Sequence, residues 1–139
     1  MADLETNKAV VRKFFDYLSK GNIDALMGLY SDSFTLWVAG SLPFSGVHRR
    51  EVIPGMVAGV RSVFPQGIRY TPRSMTAEDD RVAVEADLYG EHVSGKTYNN
   101  QLHYLFIIRD GKIESFKEYF DTMHAHDVLC SAPAPGFNA

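Results

Sequence analysis

Cysteine is almost missing from this chain. Cys130 is the only one in 139 residues, so no disulfide can form within it, which suits a reducing compartment. Charge of one sign is also scarce. With 14 Lys and Arg against 17 Asp and Glu the formal net charge is −3, and no basic run offers the footprint of a nucleic-acid binder. No apolar stretch approaches the roughly 20 residues that span a bilayer. The opening MADLETNKAV is polar and lacks the apolar centre of a signal peptide. Neither a P-loop nor a dinucleotide fingerprint occurs. These absences lead us to expect a cytoplasmic protein that uses no cofactor and partners neither nucleic acid nor membrane.

What is present fits one globular domain. Hydrophobic residues make up 45% and charged residues 22%, and the length suffices for a real core. Val10, Val11, Phe14, Phe15 and Leu18 recur at helical spacing until Gly21, and Asn22 can cap a second short helix carrying Ile23, Leu26, Leu29 and Tyr30. SFTLWVAG (33–40) reads as a strand. PFSGVHRR (43–50) leads into a third helix with Val52, Ile53, Met56, Val57, Val60 and Phe64 on its apolar positions and Pro54 in its first turn.

The second half reads as a meander. The strand through GIRYTPRSMTAE is interrupted by Pro72, which predicts an edge or a bulge. RVAVEADLYGEHV alternates after an EDD turn, and two further strands flank Asp110-Gly111, a strong hairpin signal. Helices followed by antiparallel strands predict an α+β fold with helices over one face of a curved sheet. The expected domain covers residues 1–139, with a core of about 5–128 and a flexible tail, 129–139, in which Pro133, Pro135 and Gly136 favour an extended end.

A period of two assigns faces. Val82, Val84, Ala86 and Leu88 oppose Ala83, Glu85, Asp87 and Tyr89. Asn99, Gln101, His103 and Leu105 oppose Tyr98, Asn100, Leu102, Tyr104 and Phe106. Ser115, Lys117, Tyr119 and Asp121 oppose Glu114, Phe116, Glu118 and Phe120. Each strand therefore has one polar or ionisable face. In a flat sheet that face meets solvent; in a sheet curled into a cone it could line a cavity.

The helical half, WVAGSLPFSGVHRREVI and GKTYNNQLHYLFIIRDGKIESFKEYFDT together resemble the SnoaL-like branch of the nuclear transport factor 2-like superfamily, over roughly residues 5 to 128. Ketosteroid isomerases, limonene-epoxide hydrolases and polyketide cyclases belong to that superfamily. The resemblance implies a cone of curved antiparallel sheet closed by three helices, an apolar pocket for a small hydrophobic molecule, and a homodimer built on the outer sheet face. Against the ketosteroid isomerases, Trp37 stands where the Asp base belongs, Phe14 near the oxyanion-hole Tyr, and His103 where the protonated Asp donor would be, so their mechanism is not expected. Against the limonene-epoxide hydrolases, Glu85-Ala86-Asp87 and Asp121 keep both aspartates without the bridging Arg, and Trp37-Val38-Ala39 replaces Tyr-x-Asn. Against the SnoaL-type cyclases, Asp121 matches the acid that removes a proton alpha to a carbonyl.

The expected catalytic set is thus Asp121 as base, His103 as donor or relay and Asp87 as secondary acid. Trp37, Glu85, Tyr119, Phe14 and Tyr17 are expected to bind substrate, with Phe15, Phe34 and Phe64 as further apolar walls. Each has a blander reading: Asp121 as a helix cap, Asp87 as a solvated charge, His103 as a structural histidine, the aromatics as core. His124-Ala125-His126-Asp127 has metal-like spacing but no evident third ligand, and reads as surface tail. Three functions are carried forward: a cyclase or isomerase acting on a small apolar carbonyl compound, an epoxide hydrolase, and a non-catalytic binding module.

Overall fold

A computed structural model of the chain describes residues 3–130. Helix α1 (Leu4–Lys20) starts where the Asp3 side chain accepts the Thr6 N–H at 3.1 Å and stops at Gly21, whose φ of 68° closes the end. Its buried stripe is Val10, Val11, Phe14 and Phe15, as the spacing predicts. Helix α2 (Ile23–Gly28) is capped by Asn22 on the Ala25 N–H. Strand β1 (Tyr30–Val38) follows, then β2 (Gly46–Arg49), a 3-10 turn (Arg50–Val52), and α3 (Ile53–Ser62) with Pro54 in its first turn. Four long strands complete the sheet: β3 (Ile68–Glu78), β4 (Arg81–Glu91), β5 (Thr97–Arg109) and β6 (Lys112–Phe120).

The sheet order is β2-β1-β6-β5-β4-β3, antiparallel throughout except for the parallel pair β1–β6. Register shifts bend it at Tyr30/Thr35, at Pro72/Ser74 and at Ile107/Ile108. Pro72 thus sits at a bulge of an edge strand, the place its missing N–H permits. The β5–β6 hairpin turns at Asp110 and Gly111, with φ of 52° and 74°, as Asp-Gly predicts.

The sheet curls around its apolar set. Val82, Val84, Tyr104, Phe106 and Phe116 face α1, and Phe14 packs edge-on against Tyr104, Phe106 and Phe116 with centroids 5.1–6.2 Å apart. Gly90, opposite Tyr98 and Ile68, leaves room for Phe64; a Cβ there would lie 2.9 Å from that ring. No helix among the described residues is long and apolar enough to cross a membrane.

Three local expectations need correction. β1 begins at Tyr30, not Ser33, because it pairs with Ile113 before a bulge. β2 lies in the segment expected to lead into a helix; four residues are too few to show a period, and pairing with β1 makes them a strand. His124 to Asp127 form no loose tail. Thr122–Ala125 is a helical turn, α4, running into a π-turn (His126–Cys130), and together they bury Ala125 and Val128. The predicted tail therefore loses Leu129 and Cys130 to that turn; its remainder, 131–139, lies outside the described residues.

Candidate functional site

Curling the sheet around its apolar face leaves space between the sheet and α3. One lobe, of about 390 Å³, runs from Val38 and Phe44 past Val63, Leu88 and Leu102 to Leu129 in the π-turn. A smaller one, of about 120 Å³, lies deeper, beside Phe14, Leu18, Leu36 and Ile53. Both are mainly apolar, and the larger falls in the size range of small-molecule sites. They share Met56, Val60, Ile68, Tyr70, Tyr104 and Glu118, so the carboxylate and two of the tyrosines lie where the lobes meet.

Glu118 is the one carboxylate on either wall. It sits on β6 between Phe116 and Phe120 on the inward parity, with Tyr104 opposite on β5 and Val38 opposite on β1. Burial among these groups pushes its pKa from 4.5 up to about 7, although the Tyr104 hydroxyl favours the ionised form and pulls the other way. Four tyrosines surround it. Tyr30, Tyr70 and Tyr104 are held well above the usual phenol range by burial and then by the Glu118 charge, so all stay neutral donors.

Tyr98 is set more sharply. The Asp121 N–H donates to Asn100 Oδ1 at 3.1 Å, which assigns the amide; Asn100 Nδ2 then donates to the Asp121 carbonyl at 3.0 Å and to Tyr98 Oη at 3.2 Å. Since Tyr98 Oη accepts from Asn100, its own proton is available for another acceptor. Burial raises its pKa to about 12, opposed by the Asn100 bond.

The residues predicted from sequence occupy the other face. Asp87 pairs with Arg73 at 2.7 Å. His103 is exposed, in a cross-strand row between Glu85 and Tyr119, and Glu85 accepts from Ser74 at 3.2 Å. Trp37 lies on the same outer surface, its ring 5.2 Å from Tyr119 and 5.5 Å from Lys117 Nζ. Asp121 is exposed and caps α4 by accepting the His124 N–H at 3.1 Å. Only Phe14 of the expected set lines the cavity; Tyr17 packs against the core instead. Asp87 and Asp121 line one polar hollow of that outer face together with Arg69, Arg73 and Gln101, His103 is not on its wall, and none of the three lines the apolar cavity. A polar face folded inward would lose water without enough partners, so the sheet curls the other way.

Glu118 was missed, yet it carried a signal. An acid sharing parity with Phe116 and Phe120, opposite Tyr104, is a charge on an apolar face. Such a residue is either exposed at an edge or buried for a reason. Among the described residues no cluster of three metal-ligating side chains occurs.

Fold and cavity together define a class: a small-molecule pocket domain in which a curved sheet holds one ionisable acid inside an apolar space. More particularly, the chain belongs to the SnoaL-like domain family, which matches residues 11–116. No curated protein matches it in sequence. Solved structures similar to it include an NTF2-like protein from Burkholderia xenovorans LB400, 20% identical over 91% of this chain and 97% of that one, with a TM-score of 0.75. Bal32a, from a soil-derived mobile gene cassette, is also 20% identical over 90% and 97%, with a TM-score of 0.82. IdmH, a proposed polyketide cyclase from Streptomyces antibioticus, is 17% identical over 88% and 97%, with a TM-score of 0.75. Identities this low establish the fold and no chemistry.

Proposed function

We propose that the protein is a cofactor-independent acid–base enzyme that removes a proton alpha to a carbonyl of a small, largely apolar compound, as a cyclase or isomerase. The observation that carries this reading is Glu118, a lone carboxyl in an apolar cavity with its pKa raised to about 7. A base poised there is ionised often enough near neutrality and strong enough to act.

In this scheme a Glu118 oxygen takes the proton, and the C–H electrons become the C=C bond of an enolate. Its oxygen accepts a hydrogen bond from a cavity tyrosine, with Tyr98 placed for it by Asn100. The enolate carbon then attacks a second carbonyl of the same molecule, closing a ring and forming an alkoxide that takes the proton back from Glu118. Alternatively, in a conjugated substrate, Glu118 returns the proton to another carbon of the dienolate and the double bond shifts. The polyketide-cyclase description of IdmH agrees with this class. Epoxide hydrolysis is the weaker reading, because Asp87 and Asp121 line a polar hollow on the outer face, with Asp87 paired to Arg73 and Asp121 capping α4, and not the apolar cavity. We further propose, on the family likeness, that two copies pair through the outer sheet face around Trp37 and Tyr119, which light scattering tests.

Deuterium exchange tests the chemistry directly. Carbonyl compounds such as 2-tetralone and cyclic 1,3-diketones are incubated with the protein in D2O, and loss of the alpha-proton signal is followed by NMR. Wild type accelerates exchange with a rate that rises with pH and levels off above about 7. Glu118→Gln abolishes it, while Asp121→Asn and His103→Ala keep it. Exchange unchanged in Glu118→Gln, or none with any compound, defeats the reading and leaves a binding module.

A further inference from the structure

Among the charged groups of the described residues, Arg61 has the least explained position. It stands in the last turn of α3 and lines the smaller lobe together with Tyr30, Tyr70 and Glu118. It is the only cation on the wall of either lobe. Yet none of the ion pairs or side-chain hydrogen bonds among the described residues uses it.

Its position is built, not incidental. The guanidinium lies flat against the bare backbone of Gly21, the closing residue of α1. A Cβ there would fall 2.2 Å from Arg61 Cζ and 2.5 Å from Nη1. Gly21 is favoured by its positive φ, and any side chain there would also displace the Arg61 guanidinium from this place. Packing on that backbone holds a half-buried guanidinium on the cavity wall instead of letting it swing into water. The Tyr70 phenol feels both the Glu118 and the Arg61 charge, so it lies near both. Arg61, Tyr70 and Glu118 all stand on the wall of the smaller lobe.

We propose that the cavity selects an organic anion: an apolar body ending in a carboxylate or ionised enol oxygen that docks on Arg61, with the reacting carbon held farther along toward Glu118. The proposal rests on reading this cavity as the substrate site, and it names the class of substrate. A guanidinium presents a planar fork of donors that matches carboxylate geometry, and a partly dehydrated cation without a partner is relieved by an anion. A cavity with only apolar walls and one acid would instead disfavour anions.

A pair of probes that differ in charge but hardly in shape separates the outcomes. 1-Naphthaleneacetate and its neutral amide are titrated into the full-length protein at pH 8 by calorimetry. The acid binds wild type about tenfold or more tightly than the amide, and added salt weakens the acid but not the amide. Arg61→Gln removes the preference with the amide's affinity unchanged; Arg61→Lys keeps part of it. The salt series in wild type stands even if the Arg61 variants fold poorly. Equal affinities, no binding of either probe at millimolar concentration, or a preference that survives Arg61→Gln overturns the proposal. Glu118→Gln separates the two ideas. An acid preference retained there without any exchange activity in wild type sinks only the proton-transfer reading. Exchange lost in that variant with no acid preference in wild type sinks only the role of Arg61.

Discussion

Replacing Glu118 by Gln should make the protein more stable at alkaline pH, the opposite of what most substitutions of buried residues do. The reason is a proton inventory. Glu118 has a pKa of about 7 in the folded chain against 4.5 unperturbed, so folding raises it. Below 4.5 the carboxyl is neutral in both states and costs nothing. Between 4.5 and about 7 the unfolded chain sheds its proton while the folded chain keeps it. Stability therefore falls as pH rises, by at most about 1.4 kcal/mol per pH unit. Above about 7 both states are ionised and the full penalty persists.

The interval corresponds to about 3 kcal/mol, an upper bound because the cavity admits water to one side of the carboxyl. Gln keeps the shape and has no charge to bury. The assay is urea unfolding of wild type and Glu118→Gln at pH 5 and pH 8. Other carboxylates contribute equally to both proteins and cancel in the difference. The variant should gain roughly 2–3 kcal/mol relative to wild type between the two pH values, on the order of 10 °C in melting temperature. A difference independent of pH would refute the reasoning, since it would mean that Glu118 meets bulk solvent in the folded chain.

Other perturbations follow from the same geometry. Tyr104→Phe removes a donor that favours the ionised carboxylate, so the fall in stability should start at the same pH but extend higher, and the rise in exchange rate should move to higher pH, read from the two profiles. Phe14→Ala empties a site 1% exposed and ringed by Phe15, Tyr104, Phe106 and Phe116, and should cost about 3–5 kcal/mol by urea unfolding. Gly90→Ala drives a methyl into the Phe64 ring and should cost about 1–3 kcal/mol by the same measurement. Asp87→Asn breaks an ion pair whose partners are 64% and 40% exposed, and should change stability by less than about 1 kcal/mol and leave exchange activity intact.

Most of the architecture was legible because it depends on local patterns. The helical spacing in α1, the alternation in β4 and the Asp110-Gly111 turn each act within a few residues. β2 escaped because its strand character comes from β1, not from itself. The site was misplaced for a different reason. A period of two separates a strand into two faces but does not say which becomes concave. The face with more ionisable groups, which carries Asp87 and His103 and ends at Asp121, is the outer one. The curl was decided by Phe14 and its neighbours, which need the apolar side. One acid among hydrophobic residues was stronger evidence than several acids among polar ones, since only the former has a desolvation cost that demands a reason.

Met56 and Val60 border both lobes from α3, while Glu118, Tyr70, Tyr98 and Tyr104 come from the sheet. Within that helix Gly55 and Gly59 face open space, where an added side chain would meet nothing. In the proposed scheme the acid and its tyrosines thus sit on the sheet, while part of the cavity wall belongs to a separate piece of chain. Substitutions on that one helix could reshape the cavity for a new guest while the sheet keeps Glu118 and its tyrosines in place.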